Sequence, residues 1–390
     1  MAGDKKDPLQ SAIIEKAIRI ELKKPTGELT KADLEKVKGL NLDVSSSDRF
    51  RGGARIKEPG LKEVANLLQL ESLRLRGNQL SDVNPLAGLI RLELLQLGNN
   101  RLTDVSALAK LTQLKTLHLS FNQLTDVNPL ARLAQLEALH LNGNQITDVD
   151  TLVRLARLKT LILSDNKLTN VSSLAKLKQL KYLHLGNNKK IDPNTLAKLT
   201  QLTTLSLPST RLTDVSALSE LRQLQNLYLG SNHLTDVCPL AKLTQLRILN
   251  LNHNQLTDVG PLAKLTLLRI LNISDNQLTD AGPLATLTQL KDLNIENNQL
   301  TDISPLTKLT QLERLRLYGN ELTDVSPLAK LTKLKDLHLT GNQLTDVSIL
   351  AGLTNLKKLY LADNPDLTKA QIDQLQKALP NCEISHNAKK

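Results

Sequence analysis

Two histidines, His118 and His140, lie 22 residues apart, and His184 follows after twice that interval. Imidazole is the commonest metal ligand and the side chain whose proton moves most easily near neutrality. If the chain is periodic, His118 and His140 stand on neighbouring strands about 4.8 Å apart. A tight zinc site wants three or four converging donors, and the next member of the column is Ile162, so neither a metal nor another cofactor is expected. The only two cysteines, Cys238 and Cys382, are more than six periods apart, roughly 30 Å at one strand spacing per period. A disulfide needs Cα atoms within about 7 Å, and neither thiol has a histidine in register to activate it. A column of carboxylates, Asp82, Asp104, Asp126, Asp148 and onward to Asp346, invites a catalytic or calcium-binding reading. Each follows Thr or Ser and precedes a short turn, where a carboxylate caps free amides, whereas calcium needs several carboxylates converging in one loop. With no Gly-rich phosphate loop, Gly-x-Ser-x-Gly elbow or zinc-protease motif, the chain is not expected to be an enzyme.

The elements that would position these residues follow from one pattern. From Leu70 the arrangement L-x-x-L-x-L-x-x-N-x-L recurs every 22 residues, placing Leu70, Leu92, Leu114 and onward to Leu356 in one register, and thirteen full repeats fill 70–355. The Leu337/Leu339 alternation marks a short strand with one buried face. The remaining half of each period is too short for a full helix with two turns, and Pro85, Pro129, Pro239 and their equivalents interrupt it, so turns and short 3-10 segments are expected there. The Asn column, Asn78, Asn100, Asn122 and onward to Asn364, buries an amide in each period, which is tolerable only if it bonds the backbone leaving the strand. Two periods depart from the pattern: Lys190 stands where Leu is expected, and Thr210 replaces Asn beside Pro208.

The ends read as covers for an open core. Residues 1–69 form an N-terminal cap, with helical periodicity over 10–23, a capping box at Thr30-Lys-Ala-Asp33, a rudimentary strand at Leu40 and Leu42, and a solvated loop over 45–55. Residues 356–390 form a final partial repeat and a cap helix starting at Thr368, with Ile384 in a last strand.

Side chains at the third, fifth and seventh positions of the period alternate with buried leucines and point out of the sheet. There is no Trp and only two Phe and four Tyr. Five of those six aromatics fall on this face or its rim, although the core needs none. Aromatic and Arg anchors are what protein interfaces favour. Two strips are therefore the candidate partner-binding sites. Leu94, His118, Phe121, His140, Ile162, Tyr182, His184 and Tyr228 form an apolar and imidazole-rich one; Arg316, Tyr318, His338 and Tyr360, with Arg314 and Lys358, form a basic and aromatic one.

The spacing and the phrases LTDVSPLAKLTQL and LxxLxLxxNQLTDV, together with ALPNCEI after the last period, resemble the bacterial leucine-rich-repeat proteins of the 22-residue, internalin-like class. The repeats also resemble nuclear regulatory subunits of protein phosphatase 1. The resemblance covers about 70–367. It implies an α/β fold: a right-handed leucine-rich-repeat solenoid, or horseshoe, with a parallel concave β-sheet, convex 3-10 or short-helix turns, and helical terminal caps. It also implies recognition of a protein partner in the concavity, without catalysis. Two alternatives stay open: a scaffold or regulatory subunit of an enzyme such as a phosphatase, and an engineered consensus scaffold with no native partner.

The formal charge is +11, from 50 Lys and Arg against 39 Asp and Glu, which would favour nucleic acid if it were clustered. Lys110, Arg132, Arg154, Lys176, Lys242, Lys264 and their equivalents do form a convex ridge, but the Asp column interleaves it, so a solvated surface is expected and a nucleic-acid partner is not. No run of about 18 apolar residues occurs, so no membrane insertion is expected. The chain reads as a soluble monomer, located in the cytoplasm or secreted after removal of a leader.

Overall fold

The structure is a computed structural model that describes residues 7–44, 55–189 and 191–388. The expected loop at 45–55 therefore falls, apart from Arg55, outside the described residues, as does Lys190. The chain divides into two compact units, Met1–Thr195 and Leu196–Lys390, and the division falls in the coil that also breaks the sequence pattern.

In the first unit the strands are β1 (Gly39–Asn41), β2 (Ser72–Arg74), β3 (Leu94–Gln96), β4 (Thr116–His118), β5 (Ala138–His140), β6 (Thr160–Ile162) and β7 (Tyr182–His184). In the second they are β8 (Thr204–Ser206), β9 (Asn226–Tyr228), β10 (Ile248–Asn250), β11 (Ile270–Asn272), β12 (Asp292–Asn294), β13 (Arg314–Arg316), β14 (Asp336–His338), β15 (Lys358–Tyr360) and β16 (Glu383–Ser385). Within each unit every strand pairs in parallel with the next, with equivalent positions in register, as in His118 beside His140 and His338 beside Tyr360. Equal period and equal register are one fact: each coil brings the chain back to its starting point one strand further on.

Regular coils each close on seven apolar side chains. In the third of them these are Leu114, Leu117, Leu119, Leu124, Val127, Leu130 and Leu133, all fully buried or nearly so, each burial worth about 1.5–3 kcal/mol. Where Lys190 replaces Leu, the neighbouring Ile191 is buried in its stead, while Pro193, only half-buried, stands where the other coils bury Val or its equivalent, so this coil buries six apolar side chains.

The Asn column forms the expected ladder. Asn144 Nδ2 donates to the carbonyls of Leu119 and Leu141, and its Oδ1 accepts the amide of Leu124. In the second unit Thr210 takes the place of Asn: its hydroxyl donates to the Leu207 carbonyl, while Asn232 Oδ1 accepts the amides of both Thr210 and Leu212. The turns opposite the sheet are 3-10 segments such as Ser106–Lys110.

Two expectations need correction here. The prolines do not interrupt these segments; they occupy the first positions, as in Asn128–Arg132 and Ser326–Lys330, where a missing N–H costs nothing. The Asp residues lie one residue outside the cap position, which Val105 holds without a side-chain bond. Asp104 Oδ1 instead accepts the Ser106 amide and hydroxyl, an Asx turn leading into the segment.

Four α-helices occur among the described residues: α1 (Pro8–Glu21), α2 (Lys31–Leu34), α3 (Glu58–Val64) and α4 (Lys369–Ala378). Capping boxes start α2 at Thr30 and α4 at Thr368. Helix α3 was not legible, because Pro59-Gly60 reads as a breaker. Its proline serves the first turn, and Gly60 leaves room for the buried Gln10 of α1, whose Oε1 would sit 2.5 Å from an added Cβ. That same oxygen accepts the Lys57 amide, and Gln10 Nε2 donates to the Arg55 carbonyl.

Candidate functional site

The alternation that buries Leu117 and Leu139 turns His118 and His140 outward on the next position, and the register sets them side by side. Their rings stack with centroids 3.8 Å apart and 18° between planes. Ile162 and His184 continue the row on β6 and β7. Burial, and then the charges of Arg76 and Arg74, hold the His118 imidazole below its usual range. Burial, followed by His118 and His184, brings His140 down to about 4; burial lowers His184. All three rings are therefore neutral near pH 7. Apart from them, the outward positions of β3 to β7 and the seventh positions beyond them carry no ionisable side chain but Tyr182. The chemistry on offer is apolar contact, stacking and neutral hydrogen bonds. Among the described residues no three His, Cys, Asp or Glu side chains gather to hold a metal ion.

Phe121 stands at the rim of this row in an unusual backbone state. The eighth position of each coil turns sharply after the strand and has positive φ: Gly77 at 79°, Asn99 at 56°, Phe121 at 56°, Gly143 at 68° and Asp165 at 57°. Gly, Asn and Asp tolerate that region, whereas a bulky side chain there is an outlier costing of order 1–2 kcal/mol. The ring lies against the backbone of Gly143, where an added Cβ would come within 2.5 Å of Phe121 Cδ1, and it remains 51% exposed. Tyr182, 45% exposed, and half-buried Leu94 lie at the third position of their coils and open β7 and β3. The first unit thus brings together seven of the eight residues of the apolar strip. Tyr228 belongs to the second unit, on β9 between Ser206 and Asn250.

In the second unit Arg316, His338 and Tyr360 occupy one row on β13 to β15. His338 packs on Tyr360 with centroids 4.1 Å apart. Tyr318, exposed at the rim, lies 3.3 Å from where a Cβ on Gly341 would stand, the same aromatic-on-glycine arrangement as Phe121 on Gly143. This strip is less basic than its sequence suggests. Asp292 bonds both Arg314 and Arg316, at 2.7 and 3.0 Å, and Asp336 Oδ1 is 3.0 Å from His338 Nε2. Asp292, Asp336 and Gly143 are site residues that sequence reasoning missed. Gly143 carried a signal, since it follows Phe121 by one period in a column otherwise suited to positive φ.

The family described as leucine-rich repeats, in a unit of two copies, matches residues 68–110, 112–154, 156–198, 200–242, 244–286, 266–308, 288–330, 310–352 and 332–381. Among solved structures, an internalin of Listeria monocytogenes, inlF, is 29% identical with a TM-score of 0.60, the match covering 100% of both chains. A leucine-rich-repeat protein of Leptospira interrogans is 27% identical with a TM-score of 0.76, covering 91% of this chain and 97% of that one. The functional domain of InlJ from Listeria monocytogenes is 25% identical with a TM-score of 0.66, covering 82% and 74%. No curated protein sequence matches. Among the described residues no helix is long and apolar enough to cross a membrane.

Proposed function

The chain belongs to the leucine-rich repeat family, of internalin-like type, and from that membership we propose that it is a monomeric, non-catalytic module that binds a protein partner on the outward face of its sheet. The primary contact is the row of the first unit, with His118, His140, Ile162 and His184 as its floor and Phe121, Tyr182 and Leu94 along its sides. The row around Arg316, Tyr318, His338 and Tyr360, together with Tyr228, offers the second unit's contacts.

The observation that carries this reading is Phe121. A residue that holds a left-handed backbone at a cost, covers the glycine of the next coil and leaves half its ring in solvent does not serve packing. Strain of that kind gathers at sites of recognition, and a rigid exposed aromatic is the commonest interface anchor.

Phe121→Asn separates binding from folding, because Asn suits the left-handed backbone and should leave stability unchanged or raise it by up to about 1 kcal/mol. Affinity capture from a lysate with quantitative mass spectrometry would supply the partner, whose dissociation constant is then measured against the native chain and against Phe121→Asn with Tyr182→Ala. A loss of roughly a hundredfold, the size of a paired hot spot, is expected at equal stability; an unchanged constant would overturn the proposal.

A further inference from the structure

A second surface, separate from the row of the first unit, runs along the strand starts of β11 to β15. There the residues at the second and third positions of each coil wall a groove of about 510 Å³. Its centre is an ion lattice that neutralises itself. Glu313 bridges Lys291 at 3.6 Å and Lys335 at 2.6 Å, and Asp292 holds Arg314 at 2.7 Å. The ends are different. At one, Arg269 is exposed beside the exposed Arg247 of the preceding coil; at the other, Lys357 and Lys358 are both exposed. None of these four cations has a carboxylate partner among the described residues. Asp336 on β14 and Glu383 on β16 are both in register with Lys358, yet no ion pair joins either to it.

We propose that this groove binds an extended acidic segment of a protein, with one carboxylate cluster at Arg247 and Arg269 and a second at Lys357 and Lys358. From β11 to β15 is four strand spacings, about 19 Å, and an extended chain advances about 3.3 Å per residue, so the clusters sit about six residues apart. The residues between them are neutral and polar, because the cations at the centre of the groove are already paired with Glu313 and Asp292 and leave a continuous run of negative charge without partners. For the same reason a peptide segment fits better than a uniformly charged polyanion.

The probe is a fluorescein-labelled peptide with two Asp-Glu pairs separated by Gly-Ser-Gly-Ser, titrated by fluorescence anisotropy at low and at physiological salt. The comparison peptide has the same composition with the two pairs adjacent. Binding of the spaced peptide that weakens with salt, exceeds that of the compressed peptide, and falls roughly tenfold in Lys357→Glu/Lys358→Glu and in Arg247→Glu/Arg269→Glu supports the proposal. The reversal Lys242→Glu/Lys264→Glu, on the 3-10 side, should leave it unchanged, as should Phe121→Asn, which tests the other site. Equal affinity for the two peptides, an equal effect of the 3-10-side reversal, tighter binding of a heparin oligosaccharide, or no binding by a chain with native circular dichroism would each overturn it.

Discussion

Replacing Asn144 by Ala removes one rung of the internal ladder, and the structure states which groups lose a partner. The Leu119 carbonyl keeps the Nδ2 donor of Asn122, and the Leu141 carbonyl keeps that of Asn166, because each of these two carbonyls receives two such amides. The Leu124 amide has no second acceptor: its bond to Asn144 Oδ1, at 3.0 Å, is its only one. The substitution therefore leaves one buried N–H unsatisfied, at about 1–3 kcal/mol, and forfeits two further bonds worth about 0.5–1.5 kcal/mol each. A total of about 2–6 kcal/mol follows, large against the stability of a domain. Urea unfolding followed by circular dichroism measures it, with Asn142→Ala on the outward face as the control. Because repeat arrays unfold with limited cooperativity, exchange of the Leu124 amide is read alongside, and should accelerate well ahead of amides several coils away. A loss below about 0.5 kcal/mol, the level of an ordinary surface change, would refute the assignment of the ladder as a structural necessity.

The histidine row and the thiols give two further tests. His140, held at about 4 by burial and then by His118 and His184, binds its proton less readily folded than unfolded; its contribution to stability is therefore present above the unfolded value and drains away as pH falls from about 6.5 toward 4. Proton NMR of the ring checks this directly, and a midpoint at the ordinary value would show that the row is open to water. Cys238 is exposed while its thiol is raised by a bond to Asp236, whereas Cys382 is buried and raised by burial and then Glu383. A maleimide should label a single thiol in the native protein, faster in Asp236→Asn; two thiols reacting at equal rates would contradict both placements.

What could be read in the sequence was whatever repeats. The Leu, Asn and Asp columns, the parallel register, the 3-10 turns and both capping boxes follow from local patterns, or from a contact that each residue makes to the same column one period on. The rows of outward residues were legible for the same reason, since alternation alone separates His118 and His140 from the leucines beside them. What was not legible lies where a contact depends on a side chain's path: the docking of Gln10 against Gly60 that permits α3, the entry of Ile191 in place of Leu, and the sharing of Asn232 by two amides beside Thr210.

The candidate sites divide the same way. The sequence by itself determined that Tyr182, Arg316 and Tyr360 face outward, because a period of two in a strand leaves no other choice; Phe121 follows its strand and lies outside that alternation. Only the tertiary structure decided that Phe121 holds a left-handed backbone against Gly143, that two imidazoles stack and lose their basicity through burial, and that Asp292 occupies both Arg314 and Arg316. Periodicity specifies which face a residue occupies; the distance and orientation of its neighbours, which set strain, desolvation and charge pairing, come from packing between coils.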